Sequence, residues 1–197
     1  TENAGQDLID INQQTASRDN YWSDVTPIYE VIQNCNDALY NFDIMKSTNK
    51  LTVDEYNERY SDIAAIRCWL YYQLGVQFGK IPYITQPIAN VSDLKAMQEN
   101  LKSLDELIPE LISVMEKLPT LENYKNSKLI TGTIDGISLI PYFIDKRVLL
   151  GDLYLFNNEY DKAATMYRKV LAKDEANDVT TNQNAYRLYS DRAWQSG

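Results

Sequence analysis

The chain has 197 residues, a formal net charge of −9, two Cys and no His. Its 44% hydrophobic and 24% charged residues are those of a folded domain, not of a disordered chain. Without His the commonest metal ligand and general base are missing, two Cys cannot make a tetrahedral thiolate site, and the acidic balance excludes a nucleic-acid binder that pairs clustered Lys and Arg with phosphates.

Only 7 Gly and 6 Pro interrupt the chain, so it reads as mostly helical. Tyr (15) far outnumbers Phe (4), so most of the aromatic surface carries a polar handle. No run of about eighteen apolar residues exists to span a bilayer. The longest apolar run, 137–144, is broken by Ser138 and Pro141. No basic-then-apolar signal opens the chain. The start at Thr1 reads as a trimmed or mature terminus, and the stop at Gly197 soon after Trp194 reads as a cut. The expectation is one helical domain over 1–197, part of a longer protein.

To about Ser23 there is no clear period, and Arg18, Asp19, Asn20, Tyr21 and Trp22 stand together in a polar stretch. From Thr26 the spacing of Ile28, Ile32, Cys35, Leu39 and Phe42 puts five residues on one helical face, with Pro27 in the first turn. Residues 46–50 read as a loop. A second helix starts at Thr52, which has capping-box spacing to Glu55, and carries Tyr56, Tyr60, Ile63, Arg67, Leu70 and Leu74 on one stripe. Gly79 and Pro82 end it, and 81–85 is an extended exit.

Ser92 or Ser103 caps a third helix. Its stripe is Leu104, Leu107, Leu111, Met115 and Leu118, widened by Ile108 and Ile112; Pro109 predicts a kink or a nearby start, and Pro119 ends it. Residues 120–136 read as a loop. In a following pair, about 145–172, Leu150, Gly151, Tyr154, Ala163 and Tyr167 fall at tetratricopeptide offsets, while Arg147 and Glu175 occupy that pattern's usual Trp and Pro positions. Gly151 and Ala163 are small enough for two antiparallel helices to approach, and the tyrosines fill the space left. A last helix is expected over 184–194, on Tyr186, Tyr189 and Trp194, after an acidic loop around Asp174 and Asp178. The fold class is all-α: stacked antiparallel helix pairs in a tetratricopeptide-like right-handed superhelix, since one apolar stripe is not stable alone.

Cys35 and Cys68 read as buried free thiols, with a disulfide left open. Arg67 lies on the apolar face and reads as one half of an ion pair with a carboxylate. Trp69, Tyr71, Tyr72 and Phe78 read as core. Asp54, Glu55, Glu58, Asp62, Asp105, Glu106 and Glu110 read as solvated faces, and nothing sets two of them across a cleft as a glycosidase pair.

Three segments carry a family resemblance. The first is Trp22 followed by Tyr29, Ile32 and Asn36. The second, the most specific, is the helix through Arg67, Tyr71 and Leu74 with its exit Phe78-Gly79-Lys80-Ile81-Pro82. The third is the tetratricopeptide-like pair. Together they resemble the SusD/RagB-type proteins. The resemblance implies an outer-membrane, cell-surface lipoprotein of Bacteroidetes, well over twice this length. Such a protein captures glycan or other nutrient and closes over a SusC-like TonB-dependent transporter. It is not an enzyme and needs no cofactor or metal; its lipid-bearing Cys is not in this chain. In glycan capture, aromatic faces stack on sugar rings while Asn, Asp and Arg bond hydroxyls. Arg18, Asp19, Asn20, Tyr21, Trp22 and Tyr83 are the expected ligand contacts. The alternative for Trp22 is a plug at the start of the first helix. The alternative function is a helical-repeat adaptor for a peptide or protein partner, which would need several near-equal repeats.

Overall fold

The computed structural model describes residues 5–17, 19–90, 95, 100–121, 132–139 and 142–171. Six α-helices lie among them: α1 (Gln6–Asn12), α2 (Thr26–Ser47), α3 (Val53–Phe78), α4 (Leu104–Glu116), α5 (Lys146–Phe156) and α6 (Tyr160–Leu171). Two short antiparallel pairs complete them, β1 (Ile81–Pro82) with β2 (Leu101–Lys102) and β3 (Thr133–Ile134) with β4 (Ile137–Ser138). The all-α reading holds. The predicted helix over 184–194, the acidic loop before it and the Ser92 cap lie outside the described residues.

The helices begin and end where local chemistry dictates. Thr52 and Glu55 form a reciprocal capping box at α3, and Gly79 ends that helix at φ 74°, a left-handed value that favours glycine. At α4 the Glu106 carboxylate accepts from the Ser103 N–H and hydroxyl, both at 2.9 Å. These two bonds hold the Glu106 carboxyl below its usual range. So Glu55 and Glu106 are capping groups rather than only solvated charges. Pro109 sits inside α4 on an exposed position; the helix starts at Leu104, just before it.

Three local readings are corrected. Helix α2 runs to Ser47, into the predicted loop, because the Ser47 and Thr48 hydroxyls both donate to the Ile44 carbonyl at 2.8 Å. Helix α1 forms in the aperiodic N-terminal stretch and buries no residue, so it left no apolar period to detect. Within the predicted 120–136 loop and the apolar run after it, β3 and β4 form a hairpin around Asp135 and Gly136. Both turn residues have positive φ, as a two-residue hairpin turn requires.

The helices stack in chain order. Asn36 meets Arg67 and Asp43 meets Tyr56, so α2 and α3 run antiparallel. Gly75 packs against Leu104 and Leu107, and the Thr120 N–H reaches the Ser61 hydroxyl, so α4 runs back along α3. The Tyr154 hydroxyl donates to Glu116 at 2.6 Å, joining α4 to α5, and Tyr167 donates to Asp152 at 2.6 Å, joining α5 to α6. One core runs through the stack from Ile32 and Leu39 through Ala64, Tyr71 and Leu111 to Leu149, Leu153 and Ala163. The tetratricopeptide offsets are realised as contacts. A Cβ on Gly151 would stand 2.6 Å from Tyr167 Cε1, so the absent side chain is what admits the ring.

The interior also holds charge. Lys146 and Asp62 form a buried ion pair from α5 to α3, with side chains 0% and 2% exposed. The reading of Asp62 as a solvated charge is therefore corrected: it lies on the buried face of α3. Burial raises its carboxyl above the usual range, Lys146 opposing, and its Oδ2 has no hydrogen-bond partner.

Candidate functional site

The ligand contacts expected near the N-terminus divide into one structural residue and an exposed aromatic pair. Asn20 is buried. Its Nδ2 donates to the Asp7 carbonyl at 2.9 Å and its Oδ1 accepts from the Trp22 N–H at 3.0 Å. One side chain thus ties the start of α1 to a 3-10 turn over Tyr21–Ser23. That turn presents Tyr21 and Trp22, 72% and 56% exposed, edge to face with ring centroids 5.4 Å apart. Trp22 does not plug the first helix. The Asp24 carboxylate accepts from the Thr26 N–H at 2.9 Å, and its bonds to Thr26 hold that carboxyl below the ordinary range. The turn is therefore braced at both ends while its two rings face solvent. Asp19 is exposed beside them; Arg18 lies outside the described residues.

Tyr83 is elsewhere. It is 6% exposed, with its ring centroid 4.8 Å from that of Tyr71, and burial is the main cause of its strongly raised phenol pKa. Its carbonyl accepts from Asn100 Nδ2 at 2.6 Å, and its N–H donates to the Asn100 carbonyl at 3.0 Å. It is part of the core, far from the role of an open stacking face.

The second segment of the sequence resemblance forms a buried polar network. Arg67 is 8% exposed and donates through Nη1 to Asn36 Oδ1 at 2.7 Å and to the Thr85 carbonyl at 3.1 Å. Asn36 Nδ2 donates to the Ile84 and Gln86 carbonyls, both at 3.2 Å. The Tyr71 hydroxyl both donates to the Ile84 carbonyl and accepts from the Ile84 N–H, and Tyr29 donates to the Pro82 carbonyl at 2.9 Å. These bonds fasten the irregular exit strand, whose backbone would otherwise be unsatisfied, to α2 and α3. The expected carboxylate partner of Arg67 is replaced by an amide and a main-chain carbonyl. Among the described residues no carboxylate is within ion-pair distance of it. Asn36 was legible as a polar residue one helical turn from Ile32 on the buried face, a position that demands a partner.

Other aromatic readings also move. Trp69 and Phe78 are 38% and 39% exposed rather than core, whereas Tyr71 is fully buried; Tyr72 is half-buried, edge-on to Phe156 at 5.3 Å. Cys35 and Cys68 are buried free thiols, and burial pushes their pKa values up to about 11 and about 12. Among the described residues no group of three acidic, Cys or His side chains is placed to hold a metal, and no helix is long and apolar enough to cross a membrane.

Comparison with known proteins gives a consistent family. The family model described as SusD-like, starch-binding associating with outer membrane, matches residues 2–127, more than half of the chain. Two solved structures share the fold. A surface glycan-binding protein A from Bacteroides uniformis is 18% identical with a TM-score of 0.63, over 88% of this chain and 37% of its own. A SusD-like carbohydrate-binding protein from Bacteroides vulgatus is 22% identical with a TM-score of 0.56, over 86% of this chain and 33% of its own. The chain thus spans about a third of the length of these structures. No curated protein matches it.

Proposed function

Because the chain belongs to the SusD-like family, we propose that it is the helical scaffold portion of a cell-surface receptor that captures glycan or a related nutrient without altering it. The family match over residues 2–127 is the observation that carries this reading. In the proposal the receptor is held at the outer membrane by a lipid anchor and hands its ligand to a SusC-like TonB-dependent transporter.

The physical contribution of this segment is a rigid frame with an aromatic contact. Helix pairs stacked before ligand arrives reduce the ordering cost of binding. Tyr21 and Trp22, exposed on a turn braced by Asn20 and Asp24, offer flat faces to the apolar side of a sugar ring, with Asp19 alongside as an acceptor for hydroxyls. Asn20 and Tyr83 serve by holding backbone, and ligand contact is proposed for Asp19, Tyr21 and Trp22 and, from the sequence, for Arg18.

The test is calorimetric binding of the chain to a panel of starch-type and other glycans. Binding by at least one glycan is expected, with Trp22→Ala weakening it by about tenfold, in line with the roughly 1–3 kcal/mol carried by a buried aromatic contact. The melting temperature should not move, because the ring is exposed. A blank panel, or an unaltered affinity in Trp22→Ala, removes the reading.

A further inference from the structure

Among the described residues no carboxylate pairs with the Arg67 guanidinium, and one of its hydrogen-bonding edges is unused. Its two bonds, to Asn36 and to the Thr85 carbonyl, both leave from Nη1. Nε and Nη2 donate to nothing among the described residues, and Arg67 keeps 8% of its surface exposed. The neighbours that feel the Arg67 charge are Cys35, Tyr60, Cys68, Tyr71 and Tyr83, thiols and phenols that stay neutral near pH 7. Asp43, two turns along α2 from Asn36, is occupied by the Tyr56 hydroxyl at 2.8 Å.

A guanidinium that is nine-tenths buried normally has a carboxylate or a full set of acceptors. Here half of the fork is satisfied by neutral groups that also fix its orientation, and the half left open is the Nε–Nη2 edge. That edge has two parallel N–H groups spaced to match the two oxygens of one carboxylate. The surrounding low-dielectric wall strengthens the attraction to an incoming anion. Tyr40, one helical turn from Asn36 and 53% exposed, stands on the same helix as a contact for the body of a ligand.

We propose that the open edge of Arg67 is a subsite for the carboxylate of an acidic sugar, a uronic-acid residue within the captured glycan. The carboxylate site is argued from Arg67 alone; its assignment to a sugar rests on the glycan-capture reading above. Asn36 and the Thr85 carbonyl are its positioning partners.

The experiment follows the Arg67 Nε–H resonance of the full 197-residue chain by nitrogen-15 NMR, assigned with Arg67→Lys, during titration with galacturonate, galactose, sulfate and chloride. The resonance should move and saturate with galacturonate and stay in place with galactose. Arg67→Lys, which keeps a donor for Asn36 and Thr85 but loses the fork, should weaken galacturonate binding by about tenfold or more. Because the titration uses the unsubstituted protein, it stands even where that variant fails to fold. An Arg67 signal indifferent to galacturonate overturns the inference. So does an equal response to galacturonate, sulfate and chloride, which would mean an adventitious ion only. If neutral glycans bind and galacturonate leaves Arg67 untouched, the subsite falls and glycan capture stands. If galacturonate saturates Arg67 while every glycan of the panel is blank, the carboxylate site stands and glycan capture falls.

Discussion

Asp62 and Lys146, 84 residues apart in sequence, meet as a fully buried ion pair that locks the tetratricopeptide-like helices to the long helix α3. Neither charge reaches solvent, and Asp62 Oδ2 is left without a hydrogen bond. The pair therefore adds little net stability to the docking of α5, because desolvation offsets most of the Coulombic gain.

Removing one member should be far worse than removing both. Asp62→Ala leaves Lys146 charged in the core and is expected to cost about 3–5 kcal/mol. The double variant Asp62→Leu with Lys146→Met should recover most of that loss. Urea denaturation of the two variants checks the difference, and equal losses would contradict the account.

Two glycines on helices should respond differently to alanine. At Gly151 the new Cβ meets the Tyr167 ring edge at 2.6 Å, and that ring is held by its bond to Asp152. Overpacking of about 1–3 kcal/mol should exceed the roughly 1 kcal/mol gained in helix propensity, lowering the melting temperature. At Gly75 the Cβ meets only the methyl ends of Leu104 and Leu107, at 2.9 and 3.0 Å, which can rotate away. Gly75→Ala should stay within about 1 kcal/mol of the parent. Thermal melts of both variants distinguish the two cases.

Asn36 acts as both acceptor and donor, and the two roles can be separated. Asn36→Asp still accepts from Arg67 but no longer donates to the Ile84 and Gln86 carbonyls. A loss of about 1–3 kcal/mol is expected, with faster proteolysis of the 81–86 segment. Asn36→Leu also strips Arg67 of its acceptor and should cost more. Equal losses from the two substitutions would contradict the division of roles.

Stability should fall on the alkaline side. Burial raises the thiols of Cys35 and Cys68 to about 11 and about 12, the Tyr71 phenol to about 12, and the phenols of Tyr29 and Tyr83 further still. As pH rises past the ordinary thiol value of 9.0, the unfolded chain loses these protons first and the native state keeps them. The unfolded state then binds fewer protons, so the stability present below that point is lost progressively toward the raised values. Urea midpoints measured from neutral pH to about 11 should decline. At about pH 8 the native thiols should resist alkylation and react only on unfolding, since the thiolate is the reactive form. Ready labelling of the native protein would contradict the burial.

The sequence by itself determined the amphipathic helices and most of the residues that bound them, because these depend on near neighbours. The Thr52–Glu55 box, the left-handed Gly79, the stripe from Leu104 to Met115 and the small-residue offsets at Gly151 and Ala163 are all legible within a few residues. It also carried the family, through the α3 motif and its exit strand. Tertiary structure decided the partners of the buried polar side chains and the exposure of single aromatic ones. Asp62 became half of a core ion pair, Arg67 took Asn36 in place of a carboxylate, Tyr83 was enclosed, and Trp22 was left to solvent. Each of those outcomes depends on a partner tens of residues away or on the packing of another element, and a one-dimensional pattern of polarity holds no record of either.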